Sequence, residues 1–111
     1  MPFPSSVSTL FKVTFDDALQ QLTINGRKLR LGRQEYLVAK LLYHHYVLCE
    51  TGQRKNPLVS FAALCQETGT TSMRRLHNLV SEVRNKLLPH EVDIKSVRGD
   101  GYFFQPPDGA M

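Results

Sequence analysis

Residues 70–88 read Thr70-Thr71-Ser72-Met73-Arg74-Arg75-Leu76-His77-Asn78-Leu79-Val80-Ser81-Glu82-Val83-Arg84-Asn85-Lys86-Leu87-Leu88, and they decide how the chain folds. Leu76, Val80, Val83 and Leu87 recur at intervals of four, three and four. An α-helix turns once in about 3.6 residues, so these four make one apolar stripe. The other side carries Arg74, Arg75, Asn78, Ser81, Glu82 and Asn85. Thr71 or Ser72 is placed to cap the start, and Pro89 stands where the helix must stop. The pattern predicts an amphipathic helix with an apolar back and a cationic front.

Outward from this helix, the upstream neighbour is a short turn, Glu67-Thr68-Gly69-Thr70. Before it, Ser60 caps a shorter helix with Phe61, Leu64 and Cys65 facing inward. Two helices across a short glycine turn form a helix-turn-helix candidate. Downstream, residues 93–97 and 102–104 read as strands, joined by the tight turn Arg98-Gly99-Asp100-Gly101. Further upstream, residues 33–49 show helical periodicity, with Leu37, Leu41 and Leu42 expected toward the core, followed by a polar loop over residues 50–57. Residues 10–15, 21–24 and 28–31 read as three antiparallel strands, the last two joined by Asn25-Gly26, a strong hairpin signal. The order is three strands, three helices and a hairpin, hence an α+β domain. It is expected over residues 10–104, between a flexible arm at 1–9 and a flexible tail at 105–111.

Composition narrows the function. A chain of 111 residues suits one domain with its own core. No apolar run approaches the length that spans a bilayer, and Met1 to Thr9 lacks the pattern of a secretory signal. The expected setting is the cytoplasm, with no membrane partner. Cys49 and Cys65 lack metal-ligand spacing, His44, His45, His77 and His90 form no HExxH pair, and no nucleophile or nucleotide-binding motif is present. We therefore expect no enzyme, no metal and no cofactor. Net charge is +4, from 14 Lys+Arg against 10 Asp+Glu, which favours a polyanion partner.

The residues themselves suggest how such a partner is held. A recognition helix fits the major groove, and its N-terminal half here holds Arg74, Arg75, His77 and Asn78. Arginine pairs with guanine and asparagine with adenine. Thr71 and Ser72 sit where free helix N–H groups meet a phosphate. Arg98, at the hairpin turn, suits a minor groove, and the two glycines beside it are expected to allow close approach to a nucleic-acid backbone.

These residues also carry a family resemblance over roughly residues 10–104. Lys95-Ser96-Val97-Arg98-Gly99-Asp100-Gly101-Tyr102 resembles the "TVRGxGY" wing of OmpR/PhoB-type winged helix-turn-helix effector domains. Leu31-Gly32-Arg33-Gln34-Glu35-Tyr36 is similar to the "LTxxEf" at the start of that family's first helix. Leu76 through Leu87 resembles its "vdvhIsrLRkKL" recognition helix. The resemblance implies a four-stranded N-terminal sheet, three helices and a C-terminal β-hairpin wing. It implies double-stranded DNA binding in a bacterial transcription regulator, with Arg74, Asn78 and Glu82 toward the major groove. It assigns Arg84 to a backbone phosphate, and Ser96 and Arg98 to the wing contact. Three features depart from the family pattern. Glu82 stands where a basic residue is usual. The loop between the second and third helices is short, which removes the usual route to RNA polymerase. No phospho-acceptor receiver domain lies within these residues, so the chain is expected to be a fragment or a stand-alone regulator.

Two functions follow. The first is a DNA-binding regulator, as a homodimer on repeated half-sites if binding is tight, with RNA polymerase or another regulatory protein as a possible further partner. The second is a winged-helix protein-interaction module that modulates another regulator. Its case rests on Glu82, on the modest net charge of +4, on basic Arg54-Lys55, and on Tyr36, Tyr43, His44 and Tyr46 as a sticky helix face.

Overall fold

The computed structural model describes residues 12–107. In chain order the elements are β1 (Val13–Asp16), β2 (Gln21–Ile24), β3 (Arg27–Arg30), α1 (Arg33–Glu50), β4 (Val59–Ser60), α2 (Phe61–Thr68), α3 (Met73–Leu87), a 3₁₀ turn (Leu88–His90), β5 (Asp93–Val97) and β6 (Gly101–Gln105). The strands form two antiparallel sheets, ordered β1-β2-β3 and β4-β6-β5. This is the expected α+β architecture. The arm at 1–9 and residues 108–111 of the tail lie outside the described residues. Gln105, expected to open the tail, instead pairs with Asp93 at the end of β6. Among the described residues the N-terminal sheet has three strands, and the fourth implied by the resemblance has no counterpart there.

The β2–β3 hairpin turns at Asn25 and Gly26, both with positive φ, as the two-residue loop requires. Leu22 and Ile24 alternate inward on β2 and are fully buried. Ser60 caps α2 by accepting from Ala63 N–H at 3.1 Å, and Gly69 ends it. Between the two expected caps of α3, the structure selects Ser72, whose Oγ accepts from Arg75 N–H at 3.3 Å. All four residues of the expected α3 stripe are buried, joined by Leu79.

The first helix is the largest departure from expectation. Leu42 is buried, but Leu37 and Leu41 are only half-buried. Tyr36, Val38 and Ala39 are buried in their place. Apolar residues occur all round α1, so leucines alone do not select its phase. The aromatic side does. Tyr43 packs on Phe15 of β1 (ring centroids 5.4 Å apart) and on Phe104 of β6 (5.3 Å), and Tyr46 packs on Phe104 at 5.1 Å. Such ring pairs add stabilisation beyond their buried area. They join the two sheets across α1, so the tyrosines read as a sticky surface are core or core-flanking residues. A second correction is β4. Two residues, Val59 and Ser60, pair with Tyr102 and Gly101 and make the wing three-stranded, too short a strand to leave a sequence signal.

Three carboxylates hold elements together. Asp17 accepts from Lys40 Nζ at 2.7 Å and from the Tyr36 hydroxyl, and both bonds hold its carboxyl below the usual range. Burial pushes Glu35 up. Its bonds from Lys86 Nζ (2.6 Å) and Gly32 N–H (2.8 Å) prevail, and its pKa is lowered. Asp93 is held low by the Arg84 guanidinium. A carboxyl with a depressed folded pKa stabilises the fold above its unfolded pKa, about 4. That contribution is lost as pH falls through the lower, folded value. The urea midpoint should stay level from pH 7 to roughly 5 and fall below about pH 4. A midpoint unchanged down to pH 3 would show that these pairs contribute nothing.

Candidate nucleic-acid interface

The helix-turn-helix is built on a stiff turn. Thr68 Oγ1 donates to Leu64 O at 2.8 Å and lies 2.9 Å from Thr70 Oγ1, both threonines being buried. Gln34 Nε2 donates to Thr68 O at 2.9 Å and ties the turn to α1. Lys86 and Glu35 tie the other end of α3 to the same helix. The exposed side of α3 is thereby presented at a defined angle.

On that side Arg74, Asn78, Ser81, Glu82 and Asn85 are exposed and share one face by helical spacing. Thr71 and Ser72 are exposed at its N-terminal end. The Ser72 hydroxyl is an acceptor in the cap and keeps its own O–H as a donor. Arg75 lies on one flank, lining a shallow groove with Asn78 and Glu82 from α3 and Gln34 and Thr70 behind it. Arg84 and His77 lie on the other flank, toward the wing. There His77, Ser81 and Arg84 face Lys95, Ser96 and Tyr102 across a polar cleft of about 300 Å³.

Two contacts bridge that cleft. Arg84 Nε donates to Asp93 Oδ1 at 2.5 Å, with Lys95 Nζ 3.3 Å from the other oxygen. His77 Nδ1 and the Tyr102 hydroxyl share a hydrogen bond. Tyr102 is the cross-strand partner of Ser96. Arg84 is seven residues beyond His77, about 10 Å along a helix. Asp93 is three residues before Ser96, again about 10 Å along a strand. The two spacings match, so β5 runs beside α3 in the opposite direction. Arg98 continues past the His77–Tyr102 contact on the wing, and Arg74 precedes His77 on the helix. Both arginines therefore lie at the same end of the α3–β5 pair.

Sequence reasoning placed His77 among the base-facing residues. The structure turns it to the wing, where its ring meets the Tyr102 hydroxyl. It also assigned Arg84 to a phosphate, and this guanidinium already holds Asp93. Among the described residues no carboxylate lies at ion-pair distance from Arg74, Arg75 or Arg98. Lys95, Ser81 and Tyr102 were missed as cleft residues, and Asp93 as the partner of Arg84. No local signal marks them, since each faces its partner only after α3 and the wing dock.

The wing glycines have different tasks. Gly99 has φ +81°, which the tight turn needs. Gly101 serves the packing of the wing itself. A Cβ there would lie 2.0 Å from Val59 O, so the missing side chain admits the chain's own β4. Among the described residues no group of three His, Cys, Asp or Glu side chains is placed to hold a metal. No described helix is long and apolar enough to cross a membrane.

A helix-turn-helix flanked by a three-stranded hairpin wing defines a winged helix-turn-helix domain. Among the solved structures that it resembles is the DNA-binding domain of the response regulator AdeR, determined in complex with an intercistronic region. The two share 20% identity at a TM-score of 0.67, over 89% of this chain and 99% of that one. The winged-helix fold implied by the three motifs is thus the fold observed, with three strands rather than four in the N-terminal sheet among the described residues. No family model and no curated protein matches the chain.

Proposed function

We propose that this domain binds double-stranded DNA as a cytoplasmic bacterial transcription regulator, with α3 in the major groove and the wing in the adjacent minor groove. The observation that carries the reading is the pair Arg74 and Arg98, at one end of the α3–β5 unit and with no ion-pair partner among the described residues. The structural neighbour, solved on an intercistronic region, supports it. In this reading Arg74, Arg75 and Asn78 reach base edges, and Glu82 accepts from a cytosine amino group. Thr71 and Ser72 hold a phosphate at the helix N-terminus. Arg84 keeps Nε on Asp93 and offers its terminal nitrogens to a second phosphate. Ser96 and Arg98 are the wing contacts.

A single domain of this kind buries only about 600–1,000 Å² on DNA, so tight binding calls for two copies on repeated half-sites. The connection from Thr68 to Met73 is four residues, too short to serve as a polymerase-contacting loop. RNA polymerase or another regulatory protein would dock elsewhere. The interaction-module reading loses one of its supports, because Tyr36, Tyr43 and Tyr46 pack against the core, while Glu82 and Arg54-Lys55 remain exposed.

The test is fluorescence anisotropy on a labelled duplex across a salt series. Four to six phosphate contacts give a log–log slope of about −4 to −5. Arg74→Ala and Arg98→Ala should each lower its magnitude by about one. A flat salt response, or two variants that bind as the parent does, would overturn the proposal.

A further inference from the structure

The contact between α3 and the wing is more than packing. His77 and Tyr102 share a hydrogen bond, and both rings stand edge-on to Phe61 at the start of α2, with centroids 5.6 and 5.7 Å away. Their own centroids are 5.8 Å apart, which closes a three-ring cluster over three elements. Nothing in the core demands it: His77 is exposed, and Phe61 and Tyr102 are only partly buried. The cluster sits immediately below the turn that carries Arg98. Asp100 O accepts from Phe61 N–H at 3.2 Å, so the same ring residue also holds the wing turn by its backbone. The second rung, Arg84–Asp93, lies about 10 Å further down. With both rungs made, neither the height nor the tilt of the wing along α3 is free.

We infer that His77 and Tyr102, braced by Phe61, form a joint that sets the reach of Arg98 relative to the recognition helix. They are positioning residues for simultaneous engagement of two grooves, and this rests on the DNA-binding reading above. A wing held at one distance selects duplexes whose minor groove lies at that distance, so the joint acts on specificity without touching a base. His77 would then be retained for its contact with the wing rather than for base readout, although it lies on the recognition helix.

The experiment compares Tyr102→Phe and His77→Phe, which keep the rings and lose the hydrogen bond, with His77→Asn, whose amide keeps a polar atom near the Nδ1 position. The probe is a fluorescein-labelled duplex of random sequence, read by anisotropy across a salt series. The two phenylalanine variants should bind several-fold more weakly with a salt slope shallower by about one, as Arg98→Ala does. His77→Asn should recover most of the loss. In an Arg98→Ala background, Tyr102→Phe should add nothing, because the joint acts through that arginine. Amide exchange of residues 97–101 in the free protein should rise several-fold in both phenylalanine variants and not in His77→Asn. Parent-like slope and exchange in both, or an equal further loss without Arg98, would overturn the joint. If the parent itself fails to bind duplex, the DNA reading falls and the inference with it, while the exchange data still report whether the hydrogen bond restrains the turn.

Discussion

Gly101→Ala is expected to destabilise the domain by about 3 kcal/mol or more. The added Cβ would lie 2.0 Å from Val59 O, 2.8 Å from Val59 C and 3.0 Å from the Ser60 Cα. All three are backbone atoms, so no side-chain rotation relieves the clash. β4 must move away from β6, and the Val59–Tyr102 and Ser60–Gly101 pairs are lost with it. Ser60 also caps α2, and Val59 is buried, so the damage reaches the helix-turn-helix. The midpoint of thermal unfolding by circular dichroism should fall by roughly 10 °C or more. Gly99→Ala is the control: its positive φ makes substitution strained, yet nothing lies within 4 Å of the added carbon, so it should cost only about 1 kcal/mol. Equal melting of the two variants would refute the account of Gly101.

Leu76→Ala should cost about 3 kcal/mol. Leu76 is fully buried in the first half of α3, beneath the turn that carries Arg74, Arg75 and Asn78. Alanine is a good helix former, so the loss arises from the cavity and the missing transfer energy, not from helix propensity. The urea midpoint should drop with the slope m unchanged, since the same surface is exposed on unfolding. Met73, one turn earlier and exposed, provides the comparison, and its alanine variant should stay within about 0.5 kcal/mol. A Leu76 variant as stable as the Met73 variant would mean that α3 is not seated as described.

Periodicity sufficed where one face is apolar and the other is not. The α3 stripe of Leu76, Val80, Val83 and Leu87 is buried throughout, and the Asn25-Gly26 hairpin forms where the dipeptide placed it. It failed on α1. That helix is packed on by both sheets and by the other two helices, so Tyr36, Tyr43 and Tyr46 compete with Leu37 and Leu41 for the inner side. Only the partners Phe15 and Phe104 settle which group wins. The same limit applies to charge. Arg74, Arg84 and Arg98 look alike as cations, but among the described residues Arg84 alone of the three meets a carboxylate, and that carboxylate is nine residues away on another element.

The order of residues by itself determined the α+β class, the helix-turn-helix, the glycine turn of the wing and the cationic face of α3, because those depend on contacts between near neighbours along the chain. Only the tertiary structure decided the phase of α1, the third strand of the wing, the service of Gly101 to β4, and the pairing of His77 with Tyr102. Each of these is set by two segments far apart in sequence that meet across a gap of a few ångströms. Local propensity carries no information about such a meeting.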